Sequence, residues 1–309
     1  MLTVYSQTNK PQPIGWRIYI LCGKTTDRFF VWCVVVVDQM PTRLERAVRI
    51  DGADGLLADM GSSLAVIITH PWGPLGGNMQ NNVVSAAAVF FQRQGITTLR
   101  FDFVGSQIGR GHRQVQQVEA AAKYVLFGQQ QQQQQEQPRR APNYVLLFGY
   151  SYGSLIAASA SAKIPQCVGC ISVAPPWSVK HWLLMFHSNH HMRQAKQRES
   201  LPRLMVQGSH DNFTKEGTFL AMVETFPASY TTAAVLKDAD HFFHRREKDL
   251  LDVVGEWLVE TYPQCNGNLR DLAHLEYTIR LEGFMASKMS DEDKSEWGNV
   301  FGTCGQVCN

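Results

Sequence analysis

A serine set between glycines, an aspartate and a histidine stand in this chain in an order that would let them share one task. Ser151 is the centre of Gly149-Tyr-Ser-Tyr-Gly153, Asp211 lies in Gly208-Ser-His-Asp-Asn212, and His241 lies in Asp238-Ala-Asp-His-Phe-Phe243. A serine hydroxyl is a poor nucleophile at neutral pH and needs an adjacent base, which an acid must orient. The implied chemistry is attack of Ser151 on an acyl carbonyl, with His241 taking and returning the proton and Asp211 fixing the imidazole tautomer. The oxyanion formed in that attack needs N–H donors. Tyr152 offers its backbone N–H. A second donor can come from the glycine-rich stretch His70-Pro-Trp-Gly-Pro-Leu-Gly-Gly-Asn-Met79, where Pro71 has no N–H and Trp72 or Gly73 is the candidate. Asp238 and Asp240 compete with Asp211, and His210 and His244 compete with His241. Asp240 adjoins His241 on one turn and is poorly placed to reach the far ring nitrogen. Asp102 reads as structural.

Residues so far apart in sequence meet only if something aligns them. The pattern supplies it: apolar runs at 64–69, 97–103, 144–150, 168–174, 204–208 and 232–236 alternate with helical patterns at 83–94, 114–127, 214–226 and 245–261. This alternation predicts an α/β fold, a mostly parallel sheet of about eight strands with helices on both faces. Parallel strands put their carboxyl ends on one edge, where Ser151, Asp211 and His241 would each follow a strand. Tyr144 to Ala157 reads as strand, sharp turn and helix, the context a GxSxG elbow requires. Gly15 to Cys22 and Phe29 to Val37 read as two more strands pairing at one edge of the sheet, with Ala47 to Ile50 as a third. Residues 178–200, rich in aromatic and basic side chains, read as a substrate-covering lid segment with a helix of solvated histidines.

The expected division is an N-terminal extension or pair of strands (1–46), a main domain (47–262) and a C-terminal extension (263–309). Within the main domain, residues 129–140 form a polyglutamine insertion and 175–202 the lid region. A run of seven glutamines has too little apolar surface to offset its ordering entropy, so disorder is expected there.

Composition narrows the partners. A net charge of +2 with 18% charged residues points to neither nucleic acid nor a charged membrane surface. The longest apolar run, Phe29 to Val37, is too short to span a bilayer, and the first ten residues lack the pattern of a secretory signal. Seven cysteines, odd in number and sparse, argue against a disulfide framework. Cys167-Val-Gly-Cys170 and Cys304-Gly-Gln-Val-Cys308 have zinc-like spacing, yet the first runs into a strand and the second lies at a chain end. A cytoplasmic protein acting on a small-molecule acyl substrate, with no metal and no cofactor, is the expectation. Asn212-Phe-Thr214 matches a glycosylation acceptor, but a glycan there would crowd Asp211.

Together the motifs around His70, Ser151, Asp211 and His241 resemble the α/β-hydrolase superfamily, most of all its dienelactone-hydrolase-like and serine-aminopeptidase-like members. The similarity covers about residues 47 to 260. It implies the α/β-hydrolase fold and a serine hydrolase, carboxylesterase-like, that cleaves an ester, thioester or amide. The oxyanion loop in such members reads roughly HPHPxxGGxM, so His70 joins Trp72, Gly73 and Tyr152 as an oxyanion or substrate-binding candidate. Trp72 stands where that pattern has its second histidine, which puts the substrate preference in question. The alternatives are acyl transfer by the same residues and a non-catalytic interaction protein built on the same fold.

Overall fold

The computed structural model describes the backbone of residues 17–25 and 28–36, and residues 45–105, 108–128 and 141–263 in full. The polyglutamine insertion at 129–140, nearly all of the C-terminal extension and Cys265, Cys304 and Cys308 lie outside the described residues.

Two strands, β1 (Arg17–Thr25) and β2 (Arg28–Val36), pair antiparallel along nine residues each. They form a sheet of their own and do not join the main sheet at its edge as expected. The edge position is taken by another hairpin, β3 (Glu45–Ile50) and β4 (Ala53–Ala58). Its connection is Asp51-Gly52, with φ of 50° and 82°, the positive values that a two-residue hairpin turn matching strand twist requires.

The main sheet continues with β5 (Leu64–Thr69), β6 (Thr97–Phe101), β7 (Tyr144–Tyr150), β8 (Cys167–Val173), β9 (Arg203–Gly208) and β10 (Thr231–Leu236). Its eight strands run in the order β10-β9-β8-β7-β5-β6-β4-β3. All neighbours from β10 to β6 are parallel, and β4 and β3 are antiparallel additions. The expected fold class is the one observed.

The central strands β5, β6, β7 and β8 are buried at every position because both faces are covered, and most of their residues are apolar. Ala65 and Ile67 of β5 face a core shared with α2 (His112–Phe127) and α3 (Tyr152–Ala160). Leu64, Val66 and Ile68 face a second core shared with α1 (Asn82–Arg93) and α7 (Glu247–Thr261). Each fully buried Val, Leu or Ile contributes about 1.5–3 kcal/mol, so these two layers hold β5 and β7 side by side. Three further helices, α4 (Lys180–Leu183), α5 (Ser188–Lys196) and α6 (Glu216–Val223), follow β8 and β9. The chain winds from β5 outward to β6 and then returns to place β7 on the other side of β5. A crevice opens at such a reversal, outside the carboxyl ends of the strands.

Candidate functional site

Ser151 sits at that reversal, between the last residue of β7 and the first of α3. Its backbone has φ 53° and ψ −122°, a conformation that a side chain normally disfavours. The two glycines are explained by close approach rather than by φ. A Cβ on Gly149 would lie 2.5 Å from Ser154 Cα, and one on Gly153 would lie 2.6 Å from the carbonyl oxygen of His70. The Thr69 hydroxyl donates to Gly153 O (3.0 Å), so the end of β5 is fastened to the first turn of α3.

The other two residues arrive on neighbouring loops. Asp211 follows β9 and His241 follows β10, and Gly208 lets these loops touch, since a Cβ there would lie 2.3 Å from Ala239 O. The His241 backbone is held from below by Tyr150, whose hydroxyl donates to its carbonyl oxygen (3.0 Å). Burial raises the Tyr150 pKa and keeps this donor protonated.

Ser151, His241 and Asp211 are thereby brought together in one hydrogen-bonded relay. Ser151 Oγ lies 2.9 Å from His241 Nε2, and His241 Nδ1 lies 2.6 Å from Asp211 Oδ2. The other carboxylate oxygen, Oδ1, accepts the N–H groups of Phe213 (2.7 Å) and Thr214 (2.9 Å). Asp211 accepts only, so Nδ1 carries the proton and Nε2 is the acceptor facing the hydroxyl. All three residues are buried, with 7%, 4% and 6% exposure in the order of the relay.

The competitors are elsewhere. His210 and His244 are exposed. Asp240 spends Oδ1 on the N–H groups of Phe242 and Phe243, and Asp238 lies 4.0 Å from His210. Asp102 accepts the N–H of Met79 (2.7 Å), which ties the glycine-rich loop to the end of β6.

Of the remaining candidates, Tyr152 opens α3, so its N–H points from a helix N-terminus, where partial positive charge gathers. Trp72 and Gly73 begin the short 3₁₀ turn after His70. The His70 ring is buried, and its Nε2 accepts the Phe103 N–H (2.9 Å) while Nδ1 faces Pro71 O. Burial lowers its pKa and keeps it neutral. Both ring nitrogens are thereby engaged within the loop and with the segment that follows β6.

The sequence pattern predicts solvated histidines at 187–191. His191 is instead buried, with Nδ1 on Ser159 Oγ (2.8 Å) and Nε2 on Arg110 O (2.6 Å), fastening α5 to α3. A fourth histidine, His112, packs against His187, His190 and His191, which only the fold brings near. Among the described residues, no group of three or more His, Cys, Asp or Glu side chains could hold a metal ion. Cys167 and Cys170 are buried free thiols, pushed up to about 11 and about 12 by desolvation. No helix among the described residues is long and apolar enough to cross a membrane.

Comparison with known proteins gives the same architecture. An uncharacterized protein of Rickettsia prowazekii is 23% identical over 217 residues, covering 68% of this chain and 84% of that protein. A solved member of the a/b serine hydrolases from Xanthomonas campestris, described as without lid, superposes with a TM-score of 0.53 at 24% identity, covering 71% of this chain and 95% of its own. An esterase of Pyrococcus furiosus does so with a TM-score of 0.55 at 17% identity, covering 72% and 96%. The sequence profile of the alpha/beta hydrolase domain matches residues 63–257, which span every strand from β5 to β10 and most of α7, and the chain belongs to that family.

Proposed function

We propose that the chain is a serine hydrolase that cleaves a carboxylic ester, thioester or amide through a covalent acyl-enzyme. The observation that carries this reading is the relay from Ser151 Oγ through His241 to Asp211 at 2.9 and 2.6 Å. Ser151 attacks the acyl carbonyl as its proton passes to His241 Nε2. The tetrahedral oxyanion is held by the N–H of Tyr152 and by that of Trp72 or Gly73. His241 then returns the proton to the leaving group, and water repeats the cycle on the acyl-enzyme. Each oxyanion donor contributes on the order of 3 kcal/mol to barrier lowering in sites of this kind. Acyl transfer to an acceptor other than water would use the same residues.

Residues 47–262 form the hydrolase domain in this proposal, with 175–202 as a lid. The substrate is a small acyl compound. The free thiols of Cys167 and Cys170 fit a reducing compartment, and we place the protein in the cytoplasm on that ground. A fluorophosphonate probe tests the central claim: it should label the wild type and leave Ser151→Ala unlabelled. Equal labelling of the two proteins overturns it.

A further inference from the structure

The segment leaving β8 is fastened first on its β9 side. The Thr214 hydroxyl donates to Pro175 O (2.9 Å), and the Trp177 indole stacks on Phe219 with ring centroids 5.5 Å apart. Five residues on, the Trp182 indole lies edge-on to Trp72, at 4.9 Å and 72°, in the loop that follows β5. In the sheet β7 lies between β8 and β5, so the chain from Trp177 to Trp182 crosses the carboxyl end of β7, where Ser151 sits.

The surface it presents there is unusual. Trp182 is 66% exposed and Phe186 83% exposed, although both are large apolar side chains. Met185 and Phe186 hold φ of 42° and 65°, left-handed values that apolar residues without special support avoid. The turn is closed by the Phe186 N–H donating to His181 O (2.7 Å). The base is likewise surrounded by rings, with Phe213 4.4 Å, Phe242 5.6 Å and Tyr150 6.0 Å from the His241 imidazole. The charged side chain of the crossing segment, Lys180, donates to Trp177 O (3.0 Å).

We propose that Trp72 and Trp182 form the acyl-binding wall of the site, and that the substrate is an uncharged ester whose acyl group carries an aromatic ring stacked on Trp182. This rests on the hydrolase reading above. Trp182 packs on Trp72 in a T-shaped contact and leaves most of its surface open to solvent. A planar acyl ring covers that surface, gaining apolar burial and an aromatic contact. A carboxylate on the acyl group would meet the negative faces of these rings, which repel it.

The test is a matched set of p-nitrophenyl esters, acetate, benzoate and hemisuccinate, assayed with wild type, Trp182→Ala and Trp182→Phe. Dividing each variant's kcat/KM by the wild-type value for the same ester cancels the ester's own reactivity. The expected result in Trp182→Ala is a benzoate loss about ten-fold larger than the acetate loss, the scale of one well-packed pocket contact, with hemisuccinate following acetate. Trp182→Phe should keep benzoate within about three-fold of wild type. Because Trp182 is largely exposed, its removal should leave the fold intact. Equal losses on all three esters overturn the inference, as does a loss confined to hemisuccinate. If labelling and acetate turnover persist while benzoate is unaffected, this inference alone fails; if Ser151 is not labelled at all, the hydrolase reading fails and takes it along.

Discussion

Replacing Asp211 with asparagine changes one oxygen to an amide nitrogen, and the surroundings decide where that nitrogen goes. Oδ1 accepts two backbone N–H groups, from Phe213 and Thr214, at 2.7 and 2.9 Å. An NH₂ group in that place would face two donors, so the amide oxygen must stay there. The NH₂ is then turned to His241 Nδ1, where it donates and forces that nitrogen to accept. The imidazole proton moves to Nε2, which faces Ser151 Oγ at 2.9 Å and can no longer take its proton. Loss of the productive tautomer with geometry preserved lowers kcat on the order of 10⁴-fold, or about 5 kcal/mol of barrier at 1.36 kcal/mol per decade. The assay is kcat and KM on p-nitrophenyl acetate, with urea unfolding to show that the variant is folded. A folded Asp211→Asn protein within about ten-fold of wild-type kcat would refute the reasoning.

Gly153→Ala should cost about 1–3 kcal/mol of stability, because its Cβ would lie 2.6 Å from His70 O and 2.7 Å from Thr69 Oγ1. By pushing the glycine-rich loop from the elbow it should also lower kcat by about 10²-fold, the scale of one displaced oxyanion donor; urea midpoints and kcat check both. His191 gives a pH dependence. Desolvation by burial is the main reason its pKa is pushed down to about 4, with His112, His190 and His187 adding to the effect against the Arg110 carbonyl. The folded protein keeps it neutral while an unfolded imidazole takes a proton near 6.5, so the unfolded state binds more protons between those values. Its contribution to stability is complete above pH 6.5 and falls by on the order of 3 kcal/mol as pH drops toward 4. His191→Gln should flatten urea stability against pH in that window, and an unchanged slope would count against this account.

The central parallel strands β5, β7 and β8 were legible because each is buried on both faces and reads as a mostly apolar run. Leu64 to Thr69 is predicted at the boundaries observed. The positions of Ser151, Asp211 and His241 were legible for a related reason, since each follows the end of such a run. The hairpin of β3 and β4 was missed in its second half. Ala53 to Ala58 carries Asp54 and Gly55 and lacks a run, though Asp51-Gly52 was the signal that could have revealed it. The N-terminal strands were recognised, but local pattern gave no information on which sheet they would join. His191 was read as solvated because its partners, Ser159 and Arg110, lie 32 and 81 residues away. The His70 ring was grouped with the site by motif, and nothing in the sequence indicates that Phe103 occupies one of its nitrogens.

The backbone at Ser151 behaves as a spring under load. Its φ of 53° with ψ of −122° costs on the order of 1–3 kcal/mol, and it persists because Thr69, Gly149 and Gly153 lock the elbow between β5 and α3. Loosening either contact releases the serine to an ordinary conformation and turns its hydroxyl off the His241 acceptor. The reactive arrangement is therefore more fragile than the sheet beneath it, and heat or denaturant should silence the nucleophile before the two cores come apart.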